Sequence, residues 1–428
     1  MPVKTKPVEA EPANHTTAAG RAAAGVAQLA VIGGGPAGLM AADVLASASS
    51  PTAPLIVTVF DRMPTVGRKL LLAGRSGLNL TNNEPLSSLV ARYGAERDTL
   101  RTSVEAFPPE ALRAWVSSLG VRTFVGSSGR VFPESMRATP LLRAWLRRLD
   151  SLGVQRAPRH NWIGWGDDNT LRFEANGRIV TFQADAAVLA LGGASWPRTG
   201  SDGRWVDVTR AAGIDVRELL PANSGVRVEW TSPFRERVAG APLKNVELRV
   251  GGRTSRGDVM ITTRGLEGGP VYALTPQLRE RHARLSIDLR PDIPVDTLTQ
   301  RLMRGRAKDS MANTLRKVGL TPIAIDLLRA CATVLPTDAG QLAARLKSVP
   351  VATEGVEGLA RAISTAGGIA FAALDNRLMI RGRPGTFVAG EMLDWEAPTG
   401  GYLLQACFST GVHAARGALA YLDRNRLA

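Results

Sequence analysis

Six residues near the N-terminus, Gly33-Gly34-Gly35-Pro36-Ala37-Gly38, have the spacing that lets a backbone wrap a pyrophosphate. The first glycine permits a tight turn off a strand, Gly35 lets the backbone come close to the phosphates, and Gly38 allows a helix to pack against that strand. The helix opening at Pro36 directs free amides and the positive end of its dipole at the same point. About twenty residues beyond the last glycine stands Asp61, where an acid accepts hydrogen bonds from ribose hydroxyls. Its neighbour Arg62 suits a 2′-phosphate. From these residues alone NAD, NADP and FAD are all open.

Two further clusters narrow the choice. Gly67 to Asn82 interleaves glycines, amides and hydroxyls with cations, Lys69 and Asn79 among them, as suits a backbone laid along a cofactor. Near the other end, Phe387 to Glu391 runs an apolar stretch into a glycine–acid turn, and Gly400-Gly401 opens another helix at Tyr402. Glu391 is placed to accept from a ribityl hydroxyl. A helix N-terminus at Gly401 suits the edge of an isoalloxazine that becomes anionic on reduction. No second glycine motif follows an apolar strand, so a dedicated nicotinamide domain is not expected, and FAD is favoured over NAD and NADP. The two cysteines, Cys331 and Cys407, are far apart, which argues against a disulfide framework, a cysteine metal site or a redox pair. No metal ligands are assigned.

The elements that must position these residues can be read from apolar periodicity. Gln28 to Ile32 and Leu55 to Phe60 read as buried parallel strands around a helix from Pro36 to Ser47. Helical spacing recurs over Pro108–Leu119 and Pro140–Leu152, each with a proline in its first turn. Residues 162–182 alternate like strands, with turns at Asp167-Asp168-Asn169 and Asn176-Gly177. Ala184 to Leu191 is another apolar strand ending in Gly192-Gly193. The expected plan is α/β. A discontinuous domain over 26–222 and 353–428 is interrupted by a β-rich unit (223–290) and a helical unit (291–352), and residues 1–25 form a disordered tail.

The chain has 428 residues and a formal net charge of +15, with ordinary hydrophobic content. No stretch approaches the ~18 apolar residues of a membrane span, and the N-terminus lacks a secretory apolar segment. A cytoplasmic location with no membrane partner is expected. Nucleic acid is a second partner class that such a charge attracts. It is not favoured here, because the excess comes from arginines scattered along the chain, with only seven lysines and no basic run.

Together the clusters give a resemblance. Gly67-Arg68-Lys69…Asn79-Leu80-Thr81-Asn82, Ala190-Leu191-Gly192-Gly193-Ala194-Ser195, Ile261-Thr262-Thr263-Arg264-Gly265-Leu266 and Ala389-Gly390-Glu391…Gly400-Gly401-Tyr402 resemble the aminoacetone-oxidase-like family of FAD-dependent oxidoreductases. These are relatives of the glutathione reductase fold, and bile-acid reductases are similar. The resemblance runs from about Gln28 to Ala418. It implies a discontinuous Rossmann-like FAD-binding domain with an inserted β-barrel-like unit and a small helical unit. It also implies an FAD envelope of Gly33, Gly35, Pro36, Ala37, Gly38, Asp61, Arg62, Lys69, Asn79, Gly193, Gly390, Glu391, Gly401 and Tyr402. Departures from the family pattern fall at Gly77, Leu78, Arg264, Glu267 and Leu403, beside the expected flavin, so the substrate is expected to differ.

The reaction class implied is hydride transfer at flavin N5, with a small-molecule substrate or a transient NAD(P)H as donor and O₂ or an enone-like acceptor. Arg264 is the candidate clamp for an anion or carbonyl, and Tyr272 or Glu267 the proton relay. The bland alternative reads these three as surface residues. His413, on the last helix, is expected as a packed helix residue rather than a catalytic one. The alternative function is an RNA-modifying or RNA-binding flavoprotein. Oligomeric state is not readable.

Overall fold

The computed structural model describes residues 25–427 apart from 75–76, 281–282, 306–308 and 333. The expected tail therefore lies outside the described residues. The chain divides into two compact units, one formed by residues 1–220 and 365–428 and the other by 221–364.

In the first unit, apolar runs form parallel strands buried on both faces at the centre of the sheet, while the edge strand Gln155–Pro158 is largely exposed. They are β1 (Ala27–Ile32), β2 (Leu55–Asp61), β3 (Gln155–Pro158), β4 (Ala186–Leu189) and β5 (Thr386–Val388). Their order is β5-β4-β1-β2-β3, and all four pairings are parallel. From β1 the chain builds outward first on one side and then on the other. The place where strand order reverses, between β1 and β4, is where an open α/β sheet leaves a crevice at its carboxyl edge. The expected discontinuous Rossmann-like α/β fold is thus the observed one.

Helix α1 (Pro36–Ser47) leaves β1 at this edge, α2 (Arg68–Ala73) follows β2, and α3 (Tyr402–Leu427) closes the chain. Helices α1 and α3 pack backbone to backbone: a side chain at Gly411 would fall 2.4 Å from the Ala37 carbonyl. Asp43, buried in α1, accepts from Trp145 Nε1 (3.2 Å) and pairs with Arg148 (3.0 Å), fastening α1 to the helix Ala138–Ser151. The strands Asn161–Trp165, Leu171–Ala175 and Arg178–Phe182 form an antiparallel meander. Its last turn has Asn176 and Gly177 both at positive φ, the geometry of a two-residue hairpin. A three-stranded antiparallel sheet of Thr81–Asn82, Arg130–Pro133 and Thr123–Val125 was not anticipated from periodicity, because its strands are too short to show one.

The second unit has a six-stranded antiparallel sheet that curves as a half-barrel. Its order is Val226–Arg227, Gly265–Glu267, Arg253–Thr262, Pro242–Val250, Leu285–Asp288, Val349–Val351. Helices Val295–Met303, Met311–Lys317, Pro322–Ala330 and Ala339–Lys347 share one apolar core with that sheet. The expected β-rich and helical segments are therefore described together, and residues 353–364 fall in the same unit. Buried Asp288 is held by Lys347 (2.7 Å) and Arg249 (3.1 Å), as a buried carboxylate must be.

Candidate functional site

The glycine turn sits at the carboxyl end of β1. Gly33 has φ +110°, and a Cβ there would lie 2.2 Å from the Ala190 carbonyl oxygen at the end of β4. A Cβ on Gly38 would lie 1.9 Å from the Gly33 oxygen, whereas Gly35 faces open space. Two of the glycines thus serve close packing, and Gly35 leaves room for a ligand to approach. Helix α1 has Gly35 at its N-cap and Pro36 at its start, with no side-chain cap. Ala37 is buried.

Asp61 ends β2. Its Oδ2 accepts from Gly34 N (2.8 Å) and its Oδ1 from Met63 N (2.7 Å), so the acid ties the second strand to the glycine turn. Burial raises its pKa above the ordinary value, outweighing those two amides and the nearby Arg62 and Arg68. Arg62 has its fork already occupied. Nε donates to Gly200 O (3.1 Å), and Nη2 donates to Pro197 O (3.2 Å) and pairs with Asp202 (3.1 Å). It shapes the 197–202 loop instead of standing ready for a 2′-phosphate.

At the other end of the crevice, Lys69 on α2 pairs with Glu391 after β5 (Nζ–Oε2 2.8 Å) and donates to Ser195 Oγ (2.6 Å). Glu391 also accepts from the backbone amides of Gly193 (3.2 Å) and Thr365 (2.8 Å). One carboxylate thus collects donors from three separate stretches of chain near the carboxyl edges of β4 and β5. The Cys407 thiol, pushed up to about 12 chiefly by burial and then by Glu391, is neutral beside this pair.

Helix α3 starts where Gly400 and Gly401 have φ +132° and +99°. A Cβ on Gly401 would lie 2.4 Å from the Thr81 backbone, so only glycine permits this approach. Asn82 Nδ2 donates to Gly400 O (3.3 Å). Tyr402 turns its hydroxyl to Glu84, which Arg92 also binds (Nη2–Oε2 2.9 Å), and burial raises the phenol to about 12. Tyr93 Oη donates to Tyr402 O (3.0 Å). This tyrosine therefore locks the helix start through its side chain. Asn79 Oδ1, Thr81 Oγ1 and Ser201 Oγ are buried with no hydrogen-bond partner among the described residues. Buried polar atoms are rarely left so, and these fit a polar ligand along the Asn79–Thr81 segment and near Gly192, which a side chain would bring to 3.0 Å from Ser201 Oγ. A dinucleotide whose far end is rich in hydroxyls and ring heteroatoms, as FAD is, suits this arrangement.

All fourteen residues expected around the cofactor lie in the first unit, and those described above gather at the carboxyl edge of its sheet. The three proposed for catalysis lie in the second unit. There Arg264 pairs with Glu357 (2.7 Å), Arg361 reaches both Glu357 (3.8 Å) and Glu267 (3.4 Å), and Glu357 is buried. Tyr272 has its pKa raised by burial and by Glu267, so it stays protonated at neutral pH. Sequence reasoning assigned no role to Ser195, Thr365, Glu357 or Arg361. Ser195 lay inside a motif already singled out, but Thr365, Glu357 and Arg361 carry no local signal. His413 Nδ1 lies 2.7 Å from Ser103 Oγ, with Arg416 and Asp375 acting on the ring in opposite senses. Among the described residues no helix is long and apolar enough to cross a membrane, and no group of three or more His, Cys, Asp or Glu could hold a metal.

Comparison with known proteins agrees with this architecture. The chain is 24% identical over 417 residues to the 3-dehydro-bile acid delta(4,6)-reductase of Clostridium scindens, covering 91% of this chain and 98% of the relative. It is 25% identical over 409 residues to the ribosomal RNA dihydrouridine synthase of Escherichia coli, covering 91% and 97%. Its fold is like that of a 3-ketosteroid delta1-dehydrogenase from Sterolibacterium denitrificans, with a TM-score of 0.53 and 12% identity over 92% of this chain and all of that one. The family model described as the HI0933-like protein Rossmann domain matches residues 27–417. The chain belongs to the HI0933-like Rossmann family, and with it to the FAD-dependent oxidoreductases.

Proposed function

We propose that this FAD-dependent oxidoreductase reduces a carbon–carbon double bond conjugated to a carbonyl, with NADH or NADPH as the ultimate electron donor. The observation that carries the reading is the crevice at the β1–β4 switch point, closed at one end by Asp61 and at the other by the Lys69–Glu391 pair. FAD, when bound there, supplies hydride chemistry at its N5.

The chain's own residues then have separable tasks. Gly35 and the amides of α1 take the pyrophosphate, and Asp61 takes ribose hydroxyls with the lone pairs left over from Gly34 and Met63. Glu391, held in place by Lys69 and two amides, accepts from the hydroxyls of the linking chain. The start of α3 at Gly401 would hold the flavin with the positive end of the helix, which favours negative charge there. Tyr272, kept protonated by burial and Glu267, is the proposed donor of the proton that completes the reduction. Arg264, with Glu357 neutralising its charge, is the proposed hydrogen-bond donor to the substrate carbonyl.

The names of the two curated relatives support the choice of acceptor. A delta(4,6) double bond in a 3-dehydro steroid is conjugated to a ketone, and dihydrouridine arises by reducing the C5–C6 bond of uridine, conjugated to its C4 carbonyl. A ring enone is the first substrate class. A uridine in RNA is the second, favoured by the net charge of +15. Anaerobic stopped-flow mixing with NADH and then NADPH tests the donor: bleaching of the bound flavin is expected with one of them. Bleaching only by an amine substrate, with neither nicotinamide effective, would overturn the reductase reading in favour of an oxidase.

A further inference from the structure

We infer that the outer face of the small antiparallel sheet of Thr81–Asn82, Arg130–Pro133 and Thr123–Val125 is a platform for single-stranded RNA. The inference rests on the second substrate class above, uridine in RNA, and assigns it a contact surface.

Phe124 and Phe132 stand directly opposite each other on neighbouring strands, their rings stacked with centroids 5.7 Å apart. Phe124 is 41% exposed, an unusual position for a phenylalanine in a paired strand, and Met136 beside them is 37% exposed. Met136 also holds a left-handed backbone (φ +59°), a conformation a non-glycine residue keeps where the surroundings impose it. Alternation along the strand puts Arg130 on the same face as Phe132, and it is exposed; Arg137, Arg143 and Arg147, which follow this sheet, are exposed too, while Arg122 just before it is paired with Glu134 (3.0 Å). Residues 108–160 hold nine arginines against three acids, Glu110, Glu134 and Asp150.

Aromatic side chains on a sheet face, fringed by arginines, are what unstacked bases and their phosphates require. Charge decides between occupants. A second copy of this chain would bring an equally cationic face against it, whereas a polyanion is complementary. The platform is also one strand removed from the cofactor crevice. Leu78 N donates to Met136 O and Leu80 N to Val131 O (both 2.8 Å), so the segment carrying Asn79 and Thr81 is hydrogen bonded to the strand and turn that carry Phe132 and Met136.

The test is fluorescence anisotropy of a labelled single-stranded oligouridylate with the full-length protein, titrated with salt. Wild type is expected to bind at low salt. Phe124→Ser, a change at an exposed position, is expected to weaken binding by about tenfold or more. Arg130→Glu is expected to weaken it and to flatten the logarithmic salt slope by about one. Absence of binding by wild type, or wild-type affinity and slope in both variants, would overturn the inference. So would a wild-type dimer in sedimentation that Phe124→Ser dissociates, which would make the face a protein interface. The visible flavin spectrum is read on every sample. A chain that takes up no flavin would remove the reductase reading while the anisotropy still judges the platform.

Discussion

At the scale of single residues, Glu391 is the most informative side chain in the crevice. It accepts from Lys69 and from the amides of Gly193 and Thr365, so its charge organises three elements at once. Hydrogen bonds to a charged group are worth about 1.5–3 kcal/mol each. Glu391→Gln is therefore expected to weaken FAD binding by roughly tenfold to a hundredfold on that scale, measured by fluorescence titration of apoprotein. Unchanged affinity would remove Glu391 from the site. Next to it, the Cys407 thiol is held near 12 by burial and by the Glu391 charge. Native protein should resist alkylation at Cys407 between pH 7 and pH 9, with mass spectrometry as the readout; rapid labelling in that range would mean the thiol is ionised. The position of the glycines, Asp61 and Glu391 at strand ends was legible because each follows an apolar run in the sequence. Thr365 was not, since it reaches Glu391 only through the return of the chain from the second unit. The side-chain partners of Arg62 and Tyr402 were not legible for a related reason. Sequence located both beside the cofactor turns, but their partners, Asp202 and Glu84, are separated from them by long stretches of chain.

At the scale of elements, the site depends on where α1 and α3 begin and how they are held. Replacing Gly401 by alanine would place a methyl group 2.4 Å from the Thr81 backbone. The start of α3 or the Asn79–Thr81 segment must then move. Gly401→Ala is expected to lower the melting temperature and release flavin together; a variant as stable and as yellow as wild type would contradict the packing described. Further along α3, burial lowers the pKa of His413 below its ordinary 6.5, and its Nδ1 meets Ser103 Oγ on the helix Arg97–Ala106. The fold holds this imidazole neutral, so its contribution is present above the unfolded pKa and is lost as pH falls through the lower folded value. Thermal melts should show stability declining as pH drops from 7 to 5, and His413→Gln should flatten that decline. An equal decline in the variant would assign the effect to other groups. Element type was legible in the runs flanking the glycine turns, whereas the helices Arg97–Ala106, Trp205–Ala211 and Ser232–Val238 were not read from the sequence. The strands at Thr81–Asn82 and Thr123–Val125 were too short for any period, and they carry the outer platform.

At the scale of the whole molecule, the sequence exposed the discontinuity of the Rossmann unit because glycine-ended apolar strands reappear after the insertion. It did not reveal that the inserted strands and helices share one core, since that depends on Val349–Val351 returning to the sheet at Leu285–Asp288. Net charge behaved differently at two scales. Over the whole chain the arginines look scattered, yet residues 108–160 hold nine of them, and Arg130 shares a strand face with Phe132.

The central claim is that FAD bound at the β1–β4 edge carries electrons from a nicotinamide to a conjugated double bond. The most direct measurement is anaerobic turnover of the purified protein, monitoring the flavin band while NADH or NADPH is supplied first and a ring enone or a uridine-containing RNA second. Bleaching by one nicotinamide, recovery of the band on adding an acceptor, and repeated cycles that yield the saturated product are expected. A colourless protein that takes up no FAD, or a flavin that no conjugated acceptor reoxidises, would contradict it.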